Sequence, residues 1–418
     1  MNELAFVTSD LHLGAGAHDP LEDFRFDDEF GAFVDDIAST DATLVINGDF
    51  IDFAQIEPLG VDGVPDHVLW DESASLAKLN AALAGHPAVF DALGRYVDSG
   101  GALQIVVGNH DFDLAWPKVQ ARFRSAIGGD ANGVRFAVGA VRYHGVHIQH
   151  GYHFTPENCP EDPGVLFREW NGVTYLERVW GTDFLLRFFN ALEADHRYID
   201  NVKPTVRVAY HGLRKGWIPK RELVRLIAFL KRRGIPWRAI GSVLDADQVD
   251  ASTVAQAFVT PHWQQLTSAV VAAEPAEVRA ALDALSREDR AALAQAPPVD
   301  LEDEEELELD GGLLGLVRPG TRESRAVDEA LRKGGVTHVV FGHTHRIVDG
   351  NAMGRSYFNP GSWIPHLDTR SDYVKQKLDE HGWTLDLFDD ETLYVAEPRA
   401  VRIRPTAVRS QVNLISCI

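Results

Sequence analysis

The sequence predicts an α/β protein carrying a large, mainly helical insertion. Three observations predict it. Short apolar runs of strand character recur along the chain, stretches with apolar positions at helical spacing separate them, and strand signals become scarce from about residue 159 to 332.

The strand runs fall at 4–8, 43–46, 103–107, 146–149 and 337–341. Each is short and rich in Val, Ile, Leu or Phe, the pattern of a strand buried on both faces. Residues 24–39 and 73–96 mix apolar and polar positions at helix-like spacing, and this alternation of strand and helix supports an α/β core. The expected core is 1–158 and 333–418, with the insertion at 159–332. Within the insertion, 169–192, 220–233 and 278–293 read as helices. Residues 300–310 spell DLEDEEELELD and run into Gly311-Gly312, which reads as a solvated loop or disordered segment within an acidic stretch, 300–312. Strand signals return at 383–388 and 392–396. Asp389-Asp390-Glu391 between them fits a hairpin that closes the sheet.

Bulk properties narrow the class. A chain of 418 residues suggests roughly two to three domains, or one domain with an insertion. The two cysteines, Cys159 and Cys417, build no disulfide framework and have no metal-type spacing, so a reducing compartment is expected. With neither a signal-like leader nor an apolar run of about 18 residues, a cytoplasmic protein is expected. The net charge of −22 argues against nonspecific nucleic-acid binding, because phosphate backbones are repelled overall.

Each strand run is followed by Asp, Asn or His. Open α/β sheets place their sites beyond the carboxyl ends of strands, and five such ends are hard to explain as turns. Asp10-Leu11-His12 can aim an oxygen and a nitrogen at one ion. In Asn47-Gly48-Asp49-Phe50-Ile51-Asp52, Gly48 permits a sharp turn, after which Asp49 can bridge two ions with its two oxygens. Gly108-Asn109-His110-Asp111, His150-Gly151 and Gly342-His343-Thr344-His345 follow in order.

Taken together, D-x-H, G-D-x-x-D, G-N-H-D, H-G and G-H-T-H resemble the calcineurin-like metallophosphoesterase superfamily. The motifs span about residues 1–155 and 335–365 and leave the insertion outside. The resemblance implies two mixed β-sheets packed as a sandwich and flanked by helices. It implies that Asp10, His12 and His345 hold one divalent metal ion and that Asn109, His150 and His343 hold a second. Asp49 would bridge them, His110 would face the substrate, and Asp52 would orient His110. Manganese is the expected metal, with iron or zinc as alternatives. Two cations neutralise phosphate oxygens and lower the pKa of a water between them, so the implied activity is hydrolysis of a phosphoester: a diester, pyrophosphate or monoester of a small-molecule or nucleotide-type substrate. The alternatives are a manganese-dependent nuclease, a protein Ser/Thr phosphatase and a non-enzymatic scaffold. Residues 188–204 and the opening NGDFIDF are further similar to a bacterial branch that includes UDP-2,3-diacylglucosamine hydrolase. His110 stands where that branch usually has Arg, and the insertion is far larger.

Further residues are candidates for substrate contact. His153 and Asn158 follow the fourth motif, and Asn359-Pro360-Gly361-Ser362 follows the last, putting Asn359 and Ser362 near the site; His18 reads as a loop histidine. Residues 214–238 hold Arg214, Lys215, Lys220, Arg221, Arg225, Lys231, Arg232, Arg233 and Arg238 against one acid, Glu222. That stretch reads as a solvated basic face, as a phosphate-binding wall in which Arg214 and Lys215 contact substrate, or as a surface for anionic lipid or nucleic acid.

Overall fold

The apolar runs of the sequence become the centres of two mixed sheets. The computed structural model describes residues 4–56, 70–130, 132–155, 158–160, 165–170, 172–177, 179, 181–182, 185–186, 190–193, 195–203, 322–351, 356–369, 371–407 and 409–418. Two compact units divide the chain: Met1–Asp183 with Gly315–His366 and Tyr394–Ile418, and Phe184–Leu314 with Leu367–Leu393.

The first sheet of the first unit joins β1 (Leu4–Thr8), β2 (Ala42–Asn47), β3 (Ala102–Val107) and β4 (Val134–Val138) in parallel. Its far edge is an antiparallel pair, β14 (Arg399–Arg404) and β15 (Gln411–Ser416), attached to β1. In the second sheet, β6 (Val146–Gln149), β10 (His338–Val340) and β12 (Tyr357–Pro360) run parallel. Antiparallel β5 (Ala140–Tyr143) and β11 (Ile347–Val348) flank them. Val7, Val45, Val106 and Val401 of the first sheet pack against Val146, Ile148, Val340 and Phe358 of the second in one buried cluster. The apolar runs lack a polar face because one side meets this interlayer core and the other is covered by helices.

Helix α1 (Asp27–Ala38) links β1 to β2; its Phe30 and Phe33 close on the ring of Trp363, with centroids 5.2 and 6.1 Å away. The helical stretch expected at 73–96 is two helices, α2 (Glu72–Gly85) and α3 (Pro87–Asp98). Pro87 lacks an N–H and takes the first position of α3, so the chain breaks at His86. Helix α4 (Pro117–Ala126) follows β3, and α5 (Arg322–Arg332) precedes β10.

Two expectations are corrected. The helix expected over 169–192 begins instead as a hairpin, β7 (Phe167–Trp170) with β8 (Val173–Leu176). Asn171-Gly172 between them is a strong two-residue hairpin signal, and Gly172 has φ +77°. The hairpin expected at 383–388 and 392–396 does not form either. The second unit holds helix α6 (Asp372–His381), helix α7 (Leu385–Phe388) and a 3₁₀ turn, Glu391–Leu393, as well as a short parallel pair, β9 (Val202–Lys203) with β13 (Leu367–Asp368). Asp390 Oδ1 accepts the backbone N–H of Thr392 at 3.1 Å and its hydroxyl at 2.6 Å, a local bond that competes with extension into a strand. The sheet edge is closed by β14 and β15.

The expected helices at 220–233 and 278–293, the acidic stretch 300–312 and the basic stretch 214–238, with Arg214 and Lys215, lie outside the described residues. Among the described residues no helix is long and apolar enough to cross a membrane.

Candidate metal centre

Strands β1, β2 and β3 run parallel in one sheet and β6 and β10 in the other, and the loops that follow them are tied to one another. The N–H of Asp10 donates to Gly48 O at 3.0 Å and that of His12 to Asp49 O at 2.9 Å. Gly342 N donates to His150 O at 2.7 Å, joining two loops of the second sheet. Asp111 clasps the second and third loops, accepting Gly108 N at 2.5 Å on one oxygen and Phe50 N at 2.8 Å on the other. Burial and the nearby Asp49 carboxylate push the Asp111 carboxyl up to about 7.

Backbone conformation marks the same residues. Asp10, His12, Asp49, His343 and His345 all have φ between +48° and +68°. Non-glycine residues rarely adopt this left-handed region, and strain of this kind collects at functional sites. These tight turns let neighbouring side chains converge. Close backbone approach does the rest: a Cβ on Gly108 would stand 2.2 Å from Asp49 Oδ1, and Gly48 has φ +87° with His150 packed against it.

The side chains form overlapping groups. Ligand-capable atoms of Asp10, His12 and His345 lie within 4.8 Å of one another, as do those of Asp49, His150 and His343, and those of His12, Asp49 and His110. Asp49 therefore belongs to two groups and stands between them. Its two oxygens have different neighbours. Oδ1 accepts the N–H of His110 at 2.9 Å, while Oδ2 lies 3.0 Å from His150 Nε2 and 3.8 Å from His12 Nε2. The peptide of His110 anchors Oδ1, while Oδ2 lies between the imidazoles of His12 and His150.

Hydrogen bonds decide which imidazole nitrogen is available. His12 Nδ1 lies 2.8 Å from Asp52 Oδ2, an acceptor, so it carries the proton and Nε2 keeps its lone pair. His150 Nδ1 likewise donates to Asn47 O at 2.8 Å and presents Nε2 to the cluster. His12 Nε2 then meets His345 Nε2 at 3.2 Å, with Asp10 Oδ1 3.4 Å from the latter. Asn109 is buried, and its Oδ1 has no hydrogen-bond partner among the described residues. Converging lone pairs, two buried carboxylates and an orphaned amide oxygen fit divalent cations, which accept several oxygen and nitrogen donors at once. These buried Asp and His groups can hold metal ions.

Without cations the acids are held ionised by imidazoles. Burial opposes the charge on Asp49, but His150 and then His110 hold its carboxyl well below the usual range; Asp10 is lowered by His345 and His150. Burial also opposes protonation of His150, and Asp49 overrides it, raising that imidazole to about 9. His343 is pushed well below the usual histidine value, by burial first and then by His150.

His110 stands at the open edge, with 22% of its side chain exposed against 2% for Asp52. Its Nδ1 lies 2.8 Å from Asp52 Oδ2, the oxygen that His12 also uses. That contact is bent, an ion pair rather than a straight hydrogen bond. Burial works against a charge there, yet Asp52 and Asp49 raise the imidazole to about 10. Asp52 Oδ1 caps the backbone N–H groups of Ala54 and Gln55 at 3.0 and 3.2 Å, fixing the carboxylate in place.

The residues expected to contact substrate fall in several places. Asn359 is buried beneath the last loop, donating to Gly342 O at 2.8 Å and Thr344 Oγ1 at 3.1 Å. Ser362 is buried with its hydroxyl on Ile364 O at 3.4 Å. His153 stands edge-on to Phe154 and Phe341, and Asn158 Nδ2 lies 3.2 Å from Thr155 Oγ1 and 3.4 Å from His343 Nε2. Sequence reasoning missed Thr155, whose hydroxyl is 2.8 Å from His343 Nε2. It also missed Glu323, a buried carboxylate whose oxygens meet Tyr357 Oη and Arg346 Nη2, each at 2.5 Å, beside the last loop. An isolated Thr or Glu in sequence gives no signal of either role.

No protein-family model matches the chain, and no curated protein matches it.

Proposed function

We propose that the protein is a dinuclear metal-dependent phosphohydrolase of the calcineurin-like metallophosphoesterase kind. One observation carries the reading. Asp49 Oδ2 stands between two Asp/His groups, one with Asp10, His12 and His345 and one with His150 and His343, and five of these six residues hold a left-handed backbone conformation. Asn109 completes the second group with its orphaned oxygen. The lack of cysteine and the mixture of carboxylate, imidazole and amide suit manganese, with iron and zinc as competitors.

Two cations bound there would neutralise phosphate oxygens and lower the pKa of water toward neutrality. The chain's own groups do the remainder. Asp52 holds Nδ1 of His110, so the Nε2–H of that ring is the proton offered to the open side. It can stabilise charge on a phosphate oxygen or pass a proton to the leaving oxygen. Asp52 also orients His12, so one carboxylate sets both the metal-facing and the substrate-facing imidazole.

The test is a chelator-stripped protein reloaded with manganese, iron or zinc and assayed on aryl phosphate monoesters and diesters, nucleotides, phosphopeptides, DNA and RNA. We expect metal-dependent release from an aryl ester or a nucleotide, and weak action on nucleic acid given the net charge of −22. A protein that binds no metal, or binds it without turnover on any of these, overturns the reading.

A further inference from the structure

For His12 and His150 the second ring nitrogen meets a carboxylate or a carbonyl, which can only accept, so the tautomer follows at once. His343 is different. Its Nε2 meets the Oγ1 of Thr155 at 2.8 Å, and a hydroxyl can donate or accept. The surroundings of that hydroxyl decide between the two. Oγ1 also lies 2.8 Å from the backbone carbonyl of Tyr152, an acceptor only. The hydroxyl has one proton. If it were sent to His343, two oxygens would face each other at hydrogen-bond distance with nothing between them, buried where Thr155 is 1% exposed. Sent to Tyr152, the proton leaves Oγ1 as an acceptor, and His343 must donate from Nε2. Asn158 does not decide between them: its Nδ2 donates to Oγ1 at 3.2 Å and stands 3.4 Å from Nε2, and turned over its oxygen would accept from Nε2–H but face Oγ1.

We propose that Thr155 is a positioning residue that fixes His343 as the Nε2–H tautomer, leaving Nδ1 as the nitrogen of that ring able to hold a cation alongside Asp49 and His150. The inference rests on the metal reading above. It gives Thr155 a role behind the ligand shell, and it makes three of the four candidate-ligand histidines unlike: His12 and His150 offer Nε2, His343 offers Nδ1. The 3₁₀ turn Tyr152–Phe154 brings Thr155 there, because Thr155 N and Oγ1 both bond the carbonyl of Tyr152, at 3.0 and 2.8 Å.

The experiment uses the full chain labelled with ¹⁵N-histidine and freed of metal. Long-range proton–nitrogen correlation reads each tautomer, and His343 is assigned by its loss in His343→Gln. The expected spectrum shows His343 protonated at Nε2 in the wild type. Thr155→Val should lose the fixed tautomer, and manganese calorimetry should show one of two binding events weakened about 10–100-fold. Thr155→Ser, which keeps the hydroxyl, should restore both. A wild-type His343 protonated at Nδ1 overturns the proposal. So does a folded Thr155→Val protein that binds both ions as the wild type does. If Thr155→Val does not fold, the wild-type tautomer and the Thr155→Ser affinities decide. A wild type that binds no manganese defeats the metal reading itself. That failure is distinguishable, because the tautomer is read without metal.

Discussion

Both carboxylate oxygens of Asp10 receive the backbone N–H of His343, at 2.9 and 3.1 Å. The first and last ligand-bearing loops, 333 residues apart in sequence and in different sheets, are therefore joined through a residue that is itself a candidate ligand. A cation on Asp10 would share the carboxylate that pins the loop at 342–345, so its binding is expected to be coupled to the joining of the two sheets. With manganese at 100 times its dissociation constant, stability should rise by about 2.7 kcal/mol over the chelated protein. Thermal denaturation with and without chelator measures it, and identical midpoints would show that the cluster holds no ion.

Gly108 gives a sharper test of how closely the second and third loops meet. A methyl group there would stand 2.2 Å from Asp49 Oδ1 and 2.5 Å from Asp49 N, and backbone cannot yield as a flexible side chain can. Gly108→Ala should cost roughly 1–3 kcal/mol through overpacking, displace the Asp49 carboxylate and abolish metal binding. Gly334→Ala is the control, since nothing lies within 4 Å of its added Cβ. Metal content by mass spectrometry and urea denaturation of both variants settle the matter; a Gly108→Ala protein that keeps two ions contradicts the packing.

Asp52 and His110 should separate by readout. His110 touches the open side, so His110→Asn should lose about 10²–10⁴ in turnover while keeping both ions. Asp52 Oδ2 serves His12 as well as His110, so Asp52→Asn should lower turnover and also weaken one ion by about 10–100-fold. With both ions saturating, so that the weakening through His12 is masked, the double variant should be scarcely slower than the worse single variant, because the rest of the Asp52 effect acts through His110. Kinetics paired with calorimetry check this, and additive losses would place Asp52 and His110 in independent roles.

The candidate site was legible because it is written as strand followed by a short chemical motif, five times in order. An apolar run fixes where each strand ends, and a ligand two or three residues on must then lie at the sheet's edge. The α/β class was legible for the same reason, whereas the mixed sheets were an implication of the family resemblance alone. What could not be read was contact at a distance. Nothing in the sequence pairs Thr155 with His343 or Glu323 with Tyr357, because each link is set by the packing of separate elements. Strands β14 and β15 escaped because Arg399, Arg402 and Arg404 interrupt Ala400, Val401 and Ile403, hiding an edge hairpin behind its solvated face. The misread 169–192 had a visible warning in Asn171-Gly172. An Asn-Gly pair flanked by β-prone residues favours a two-residue hairpin over a continuous helix, and β7 and β8 pair across it.

His86 should make stability depend on pH through a cluster outside the metal groups. It is 1% exposed, with Nε2 2.9 Å from Glu22 and Nδ1 3.0 Å from Asp27. Glu22 in turn accepts the N–H groups of Gly14, Gly16 and Phe24, at 3.3, 2.6 and 2.9 Å, and so shapes the loop that follows His12. Burial opposes a charged His86, but Asp27 and Glu22 outweigh it and raise the imidazole from 6.5 to about 9. The folded value exceeds the unfolded one, so protonation favours the fold. The contribution is complete below about pH 6.5, fades as pH rises and is gone above about 9. The separation of those two values corresponds to roughly 3 kcal/mol at most. In His86→Gln, which cannot carry the charge, this component is missing. The difference in unfolding free energy between wild type and variant should shrink by that order between pH 6 and 10, as read by urea denaturation at each pH. A difference that stays constant across the window would mean the imidazole is neutral in the fold, and the Glu22–His86–Asp27 contacts would then be bonds to an uncharged ring.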